Sequence, residues 1–379
     1  MTIPFGQPWI TEEDRCAVNS ALQSPILAHG PQTEEFETDF SAFLGEAAHC
    51  VAVSSCMAAL HIAYLSLGIG PGDEVIVPAQ THVATAHAVE IVGAHPVFLD
   101  CELSTGNVDL EQIASAITPR TRAISVVHFL GIPVNMPPLV DLANANGLYV
   151  VEDCALALGA RCEAKHVGLF GDVGCFSFYP IKHITCGEGG MFVSRHAHLA
   201  AKAQLLRSFG TERSPHTSST YDVTELGLNY RLSEIGSALC CSQLRRIDVN
   251  LSRRVRNFRA LKESIPSKLP ISILDSQDSS MLSAHYCQGI LLQPPLAEKR
   301  DALIAQLRTM GVGASIYYPH PVPRLQFYRQ KYGWNSNLFP NAQRISDHSL
   351  ALPVGPTLSE AEALQVADSF TTACNHWSW

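Results

Sequence analysis

From about residue 50 to residue 250 the chain alternates short apolar runs with segments of helical spacing. "EVIVPA" (74–79), "HPVFLD" (95–100), "AISVVH" (123–128), "LYVVED" (148–153), "GCFSF" (174–178) and "GMFVS" (190–194) read as strands. Between them lie patterns such as Leu60, Ala63, Tyr64 and Leu67, which recur at three- and four-residue steps after Ser55. Strands that alternate with helices leave few architectures open. They predict an α/β fold: a mostly parallel sheet with helices on both faces.

After about residue 250 the pattern changes. Leu296, Leu303, Ile304, Leu307 and Met310 predict a helix over 296–310, and "ASIYYP" predicts a strand over 314–319. Ser359 and Glu362 carry the S-x-x-E signature of a capped helix start. The expected organisation is a large α/β domain over 1–250 and a smaller α+β domain over 251–379. The stretch 209–226, "FGTERSPHTSSTYDVTEL", is polar and aperiodic and reads as a surface loop.

Composition narrows the function classes. The formal net charge is −9 and no long run of Lys or Arg occurs, so no nucleic-acid partner is expected. No apolar stretch is long enough to span a bilayer, so no membrane partner is expected either. The 12 cysteines form no CxxC pair, and Cys154, Cys175 and Cys287 sit inside apolar runs. They read as buried small hydrophobes, with no metal site. "MTIPFGQPWITEEDR" lacks the pattern of a signal peptide, and the expected location is the cytoplasm.

In such sheets ligands bind at the carboxyl ends of the strands. Asp153 ends the apolar run "LYVVED", where a carboxylate needs a cation or donors. Lys182 is expected to end another strand, in "CFSFYPIKHITCGEGG" (175–190). Either residue alone could serve as a cap or reach water. Together they point to pyridoxal 5′-phosphate, which needs a lysine for its Schiff base and an acid at its pyridine nitrogen. "VAVSSCMAALHIA" (51–63) reads as strand, small-residue turn and helix start, a place for a phosphate. Ser54 and Ser55 add hydroxyls there. His82 follows the strand that ends near Ala79 and offers a flat face for a ring.

The same segments resemble the DegT/StrS type of sugar-nucleotide aminotransferases, fold type I enzymes that use pyridoxal phosphate. The resemblance runs through "GPQTEEFETDFSAFLG" (30–45), "GIGPGDEVIVPAQTHVATAHAVEIVGAHPVFLD" (68–100), "VVEDCALALGA" (150–160), "FSFYPIKHITCGEGG" (176–190), "GLNYRLSEIGSAL" (227–239) and "LALPVGPTLSEAE" (350–362). It implies a seven-stranded-type sheet between helices. It implies Lys182 as Schiff-base lysine and proton shuttle, and Asp153 as the partner of the pyridine nitrogen. Ser55, Cys56, Met57, Ala58 and Ser177 would surround the phosphate, and His82 would stack on the ring. Asn229 would reach the phosphate of a neighbouring subunit, so the implied assembly is a homodimer with shared sites. His183, Arg231, Tyr317 and Tyr318 fall on the substrate side.

The implied reaction moves an amino group from an amino acid, glutamate first, to a keto sugar carried by a nucleotide. A dehydratase of the same fold commonly has histidine where this chain has Lys182. A regulator that binds the cofactor without turnover usually carries a DNA-binding module, for which this chain has no room. The chain also departs from the family pattern. Met57 stands where Thr is common, Leu156 where Gln or His is common, His183 where Asn is common, and "YYP" (317–319) where "HYP" is common.

Overall fold

The computed structural model describes residues 2–45, 48–213 and 221–377. Helices α1 (Glu12–Leu22) and α2 (Pro31–Leu44) lead into β1 (His49–Val53). Then follow α3 (Cys56–Ser66), β2 (Glu74–Pro78), α4 (Val83–Ile91), β3 (His95–Leu99), α5 (Leu110–Ala116), β4 (Thr121–Val127), α6 (Met136–Ala145) and β5 (Tyr149–Asp153). A small ribbon, β6 (Arg161–Cys162) and β7 (Lys165–His166), precedes β8 (Val173–Ser177), β9 (Gly190–Ser194) and α7 (Ala197–Arg207).

The seven longer strands form one sheet in the order β1-β9-β8-β5-β4-β2-β3. β9 runs antiparallel to both of its neighbours, and the other pairs are parallel. The expected mostly parallel sheet is therefore present. Its strands read as unbroken apolar runs because helices cover both faces. Alternation is still visible in where each side chain packs. Val75, Val77 and Val151 join the cluster built with α3, α4 and α7, while Ile76 and Val150 join the cluster built with α6. Burying such a side chain fully is worth about 2 kcal/mol. The two-residue period sends Glu152 and Asp153, next to each other at the end of β5, to opposite faces.

The rest of the chain is β10 (Thr211–Arg213), β11 (Tyr221–Val223), α8 (Glu234–Leu244), α9 (Ile247–Ser264), β12 (Ile271–Ile273), β13 (Met281–Leu282), β14 (Gln288–Leu292), α10 (Arg300–Thr309), α11 (Gln326–Tyr332), α12 (Pro340–His348), β15 (Ser349–Leu352) and α13 (Glu360–Asn375). β12, β14 and β15 make an antiparallel sheet. Ile290, Leu292, Leu303, Leu307, Val366 and Phe370 close a separate apolar cluster around it. The capping box of α13 forms as the sequence predicts: Ser359 N donates to Glu362 Oε2 at 2.8 Å, and Glu362 N donates to Ser359 Oγ at 3.3 Å.

Three expectations of local structure change. The helix predicted over 296–310 begins as a 3-10 turn, Ala297–Lys299, before α10. Residues 314–319 make no strand; only Ser315 bridges to Ala351, and the chain bends so that Tyr317 and Tyr318 line a cavity. The stretch 209–226 contains a hairpin, with Thr211 opposite Val223; residues 214–220 lie outside the described residues. The expected division at 250/251 falls inside α9, which is continuous through it.

Candidate active site

At the carboxyl ends of β5 and β8, beside the start of α3, lies a cavity of about 570 Å³. Its lining includes Ser55, Met57, His82, Asp153, Ser177, Lys182, Tyr286, Tyr317 and Tyr318. A larger surface groove of about 810 Å³, between α2, β1 and α7, has Glu34, Glu37 and His49 along it and no lysine.

Lys182 does not end a strand. β8 stops at Ser177, and Lys182 sits in the turn that follows, its N–H donating to Tyr179 O at 2.9 Å. Phe178 N donates to Gly189 O and Cys186 N to Phe178 O, closing the loop at its base. The amine lies 5.2 Å from the centroid of the Tyr286 ring, a cation–π distance. The residue is half-buried and its side chain lines the cavity, with the amine largely enclosed by protein. Burial lowers its pKa to about 8, against the pull of Cys56, Asp153 and Cys287. Roughly a tenth of such amines are neutral at pH 7, against under a thousandth of ordinary lysines. That is the form that can attack a carbonyl or take a proton.

Asp153 is 4% exposed. Its Oδ2 accepts from Thr85 Oγ1 at 2.8 Å, and its Oδ1 accepts from Ala155 N at 3.0 Å and faces Cys56 Sγ at 3.9 Å. Thr85 is itself joined to Thr81, hydroxyl to hydroxyl, at 2.8 Å. These contacts orient the carboxylate without supplying a cation, and it stays open to the cavity.

The start of α3 is built for close approach. Ser55 is the N-cap, and its Oγ accepts from Ala58 N at 3.0 Å. Gly190 on β9 passes so near that a Cβ there would meet Ser55 C at 2.4 Å. Hence only glycine lets the antiparallel strand pass beside this turn. Ser55, Cys56, Met57 and Ser177 line the cavity, and Ser177 Oγ accepts from Tyr179 N at 3.4 Å. Ala58 does not: it is buried, and its N–H is already used in the cap.

Aromatic side chains wall the opposite side. His82 caps α4, its Nδ1 accepting from Ala84 N at 3.2 Å. Burial lowers the pKa of its imidazole, which favours a neutral ring. The Tyr318 ring lies 5.5 Å from it. Tyr286 and Tyr317 share a hydroxyl hydrogen bond of 2.8 Å, and Gln80 Nε2 holds Tyr317 O at 3.0 Å.

Besides Ala58, three predicted residues stand apart from the cavity lining. His183 is 3% exposed, and its Nε2 bonds Ala284 O at 3.0 Å, so its ring faces the protein interior. Arg231 stacks on Phe209, 4.9 Å from the ring centroid. Asn229 is exposed, on a segment whose neighbour Tyr230 accepts from Ser54 N at 2.8 Å. Leu156 is buried among Phe129, Leu130 and Tyr286. Sequence reasoning missed Thr85, one turn after His82, although their spacing places both on one helix face. It also missed Tyr286 and Glu188, for which no local pattern exists.

On the far side of the sheet, His128, Glu152 and Cys154 lie close enough to offer a cation three ligands. Glu152 is already saturated there, accepting from Gly168 N, Phe170 N, Gly171 N and His128 Nε2 at 2.7 to 3.0 Å. In the cavity the set is different: a low-pKa amine, an oriented carboxylate, and serines beside a helix N-terminus. It fits a ligand that has an aldehyde, a basic ring nitrogen and a phosphate, which is pyridoxal phosphate.

Comparison with known proteins supports that fit. The spore coat polysaccharide biosynthesis protein SpsC of Bacillus subtilis is 32% identical over 377 residues, covering 97% of this chain and 96% of SpsC. PseC of Helicobacter pylori, an aminotransferase involved in the biosynthesis of pseudoaminic acid, superposes with a TM-score of 0.94 at 26% identity over 100% of both chains. Spr1654 of Streptococcus pneumoniae, solved in a PLP form, superposes with a TM-score of 0.92 at 26% identity over 99% of both chains. A profile of the DegT/DnrJ/EryC1/StrS aminotransferase family matches residues 8–371. The chain belongs to the DegT/DnrJ/EryC1/StrS aminotransferase family.

Proposed function

We propose that this protein uses pyridoxal phosphate to move an amino group from an amino acid, glutamate first among the candidates, to the carbonyl of a nucleotide-linked keto sugar. The observation that carries the reading is the pairing of Lys182 and Asp153 in one cavity beside the start of α3. The sugar acceptor rests on the relatives named above, two of which act in polysaccharide or pseudoaminic acid biosynthesis.

When bound, the cofactor supplies a conjugated ring that accepts the electrons released as a substrate carbon loses its proton. The rest falls to this chain's residues. Lys182 would hold the aldehyde and, once displaced, carry the proton, because burial leaves a useful share of its amine neutral near pH 7. Asp153, fixed by Thr85 and the Ala155 N–H, would keep a proton on the ring nitrogen. Ser55, Ser177 and the first turn of α3 would receive the phosphate, and His82 would cover one ring face. The tyrosine wall shields the amine from bulk water.

The same reading includes a homodimer. Leu226 is 90% exposed and Tyr221 is 70% exposed, and both lie on the segment that carries Asn229 and Arg231. Ile26 and Leu27 are also exposed, and Glu234 N donates to Leu27 O, which joins the two stretches. Such a patch suits a second copy, which would bring Asn229 to the neighbouring phosphate. All 12 cysteines are free, which suits the reducing cytoplasm.

Spectroscopy with single substrates tests the reaction. Adding L-glutamate to the purified yellow protein should bleach the visible band and release one 2-oxoglutarate per site. A nucleotide-linked keto sugar should then restore the band and yield the amino sugar. A band that no amino acid bleaches would refute the reading.

A further inference from the structure

His183, Asn250 and Arg254 lie behind Lys182, away from the cavity lining. Arg254 is 4% exposed and, among the described residues, has no carboxylate partner. A guanidinium buried without an anion is disfavoured unless its donors are well used. Here they are. Nη1 donates to Tyr286 O at 3.0 Å and to His285 O at 3.4 Å, and Nε donates to Asn250 Oδ1 at 2.9 Å. That bond fixes which way the Asn250 amide points. Its Nδ2 then donates to His183 O at 2.5 Å. The His183 ring completes the circuit by bonding Ala284 O at 3.0 Å.

The two ends of this circuit flank the reactive amine. His183 follows Lys182 in the turn. Residues 284–286 carry Tyr286, whose ring faces the Lys182 amine. His285 takes a left-handed backbone, φ 44°, a conformation unfavourable for a residue with a side chain. It turns two successive carbonyls toward Arg254. Asn250 and Arg254 stand one turn apart on α9, so one helix face grips both segments.

We propose that Arg254, Asn250 and His183 form a positioning clasp that holds the Lys182 turn against the Tyr286 wall and so keeps water from the amine. The proposal rests on Lys182 being the cofactor lysine. It gives the histidine at 183 a part: the imidazole reaches Ala284 O across the clasp.

Loosening the clasp admits water and returns the amine toward an ordinary lysine, so its titration midpoint should rise. Besides His183, whose neutral replacements are compared with each other, the ionisable groups that face the amine are Asp153, Cys56, Cys287, Tyr286 and His82, and the test leaves these five unchanged. In the full chain freed of cofactor, the reaction of Lys182 with trinitrobenzenesulfonate is followed against pH and mapped by peptide mass spectrometry. The wild-type midpoint should lie near 8. Asn250→Leu removes no charge, yet it should raise the midpoint by about half a unit or more. Arg254→Lys keeps the charge but loses the fork and should do the same. His183→Phe should raise it, and His183→Gln, which can still donate, should restore it. In the holoenzyme kcat should fall about tenfold while KM for the amino acid stays within about threefold. Midpoints equal to the wild type in the folded variants would overturn the clasp. So would a shift in Asn250→Leu that Arg254→Lys lacks, since charge alone would then account for Arg254. If Arg254→Lys does not fold, Asn250→Leu and His183→Phe decide by the same midpoint. A cofactor adduct on another lysine would end the proposed function and leave this titration as it stands.

Discussion

Glu152 and Asp153 are adjacent carboxylates at the end of one strand, and the sheet sends them to two different environments. Glu152 is 0% exposed, and its oxygens receive three backbone N–H groups and a histidine. Asp153 receives one hydroxyl and one backbone N–H and keeps a free side toward a cavity. The first is satisfied by the protein alone. The second is oriented but incomplete, as a ligand-binding group must be. The comparison teaches that partners separate a structural carboxylate from a functional one, since both are buried and both end the same apolar run.

The comparison breaks most visibly at Asp153. Asp153→Asn should lower kcat/KM by about a thousandfold, about 4 kcal/mol of transition-state stabilisation, with little change in thermal stability. Steady-state kinetics beside a melting curve would show this split. Glu152→Gln should do the reverse. Its amide would set an N–H against N–H donors, costing about 3 kcal/mol of stability while the folded fraction keeps its kcat. Denaturant unfolding measures the first part and active-site titration the second.

Acid sharpens the contrast. For Glu152 burial pushes the pKa up, but His128 and the backbone donors outweigh it, and the folded value lies below the ordinary one. Its contribution is therefore complete above the unfolded pKa and is lost as pH falls through the folded value. Burial holds His166 at about 4, so the unfolded chain takes up that proton first and stability falls between about pH 6.5 and 4. On the cavity side the slope has the same sign but lies at higher pH. Lys182 in the cofactor-free protein has a folded pKa of about 8, and the unfolded chain binds the extra proton between there and about 10.4. Stability should rise through that window. Unfolding curves from pH 4 to 10 test both limbs.

The smallest expected effect is at the phosphate end. Met57 lines the cavity beside Ser55 and offers no hydroxyl. Met57→Thr should tighten cofactor binding by about 1 kcal/mol, one net hydrogen bond, as read by titration of the cofactor-free protein.

Much of this was legible in the sequence, for identifiable reasons. The strands of the large sheet are short apolar runs with clear ends, and β2, β5 and β9 fall where those runs lie. Asp153 stood out as a charge at such an end, and Ser55 as a cap before an apolar helix. What Glu152 does was not legible, because its donors come from Gly168 to Gly171 and its histidine from beyond β4. The wall around Lys182 was legible only in part: the family resemblance put Tyr317 and Tyr318 on the substrate side, but Tyr286 arrives from a distant segment with no local pattern. "ASIYYP" has the composition of a strand, yet Gln80 holds Tyr317 through its carbonyl and the chain bends there. The β10–β11 hairpin was hidden by its polar residues, since both faces of β11 are exposed and carry no alternation.

The central claim is that Lys182 is the residue that holds the cofactor opposite Asp153. Borohydride reduction of the purified protein, followed by proteolysis and mass spectrometry, tests it directly. The account predicts a phosphopyridoxyl group on the peptide containing Lys182, and none in Lys182→Ala. The same adduct on any other lysine would contradict it.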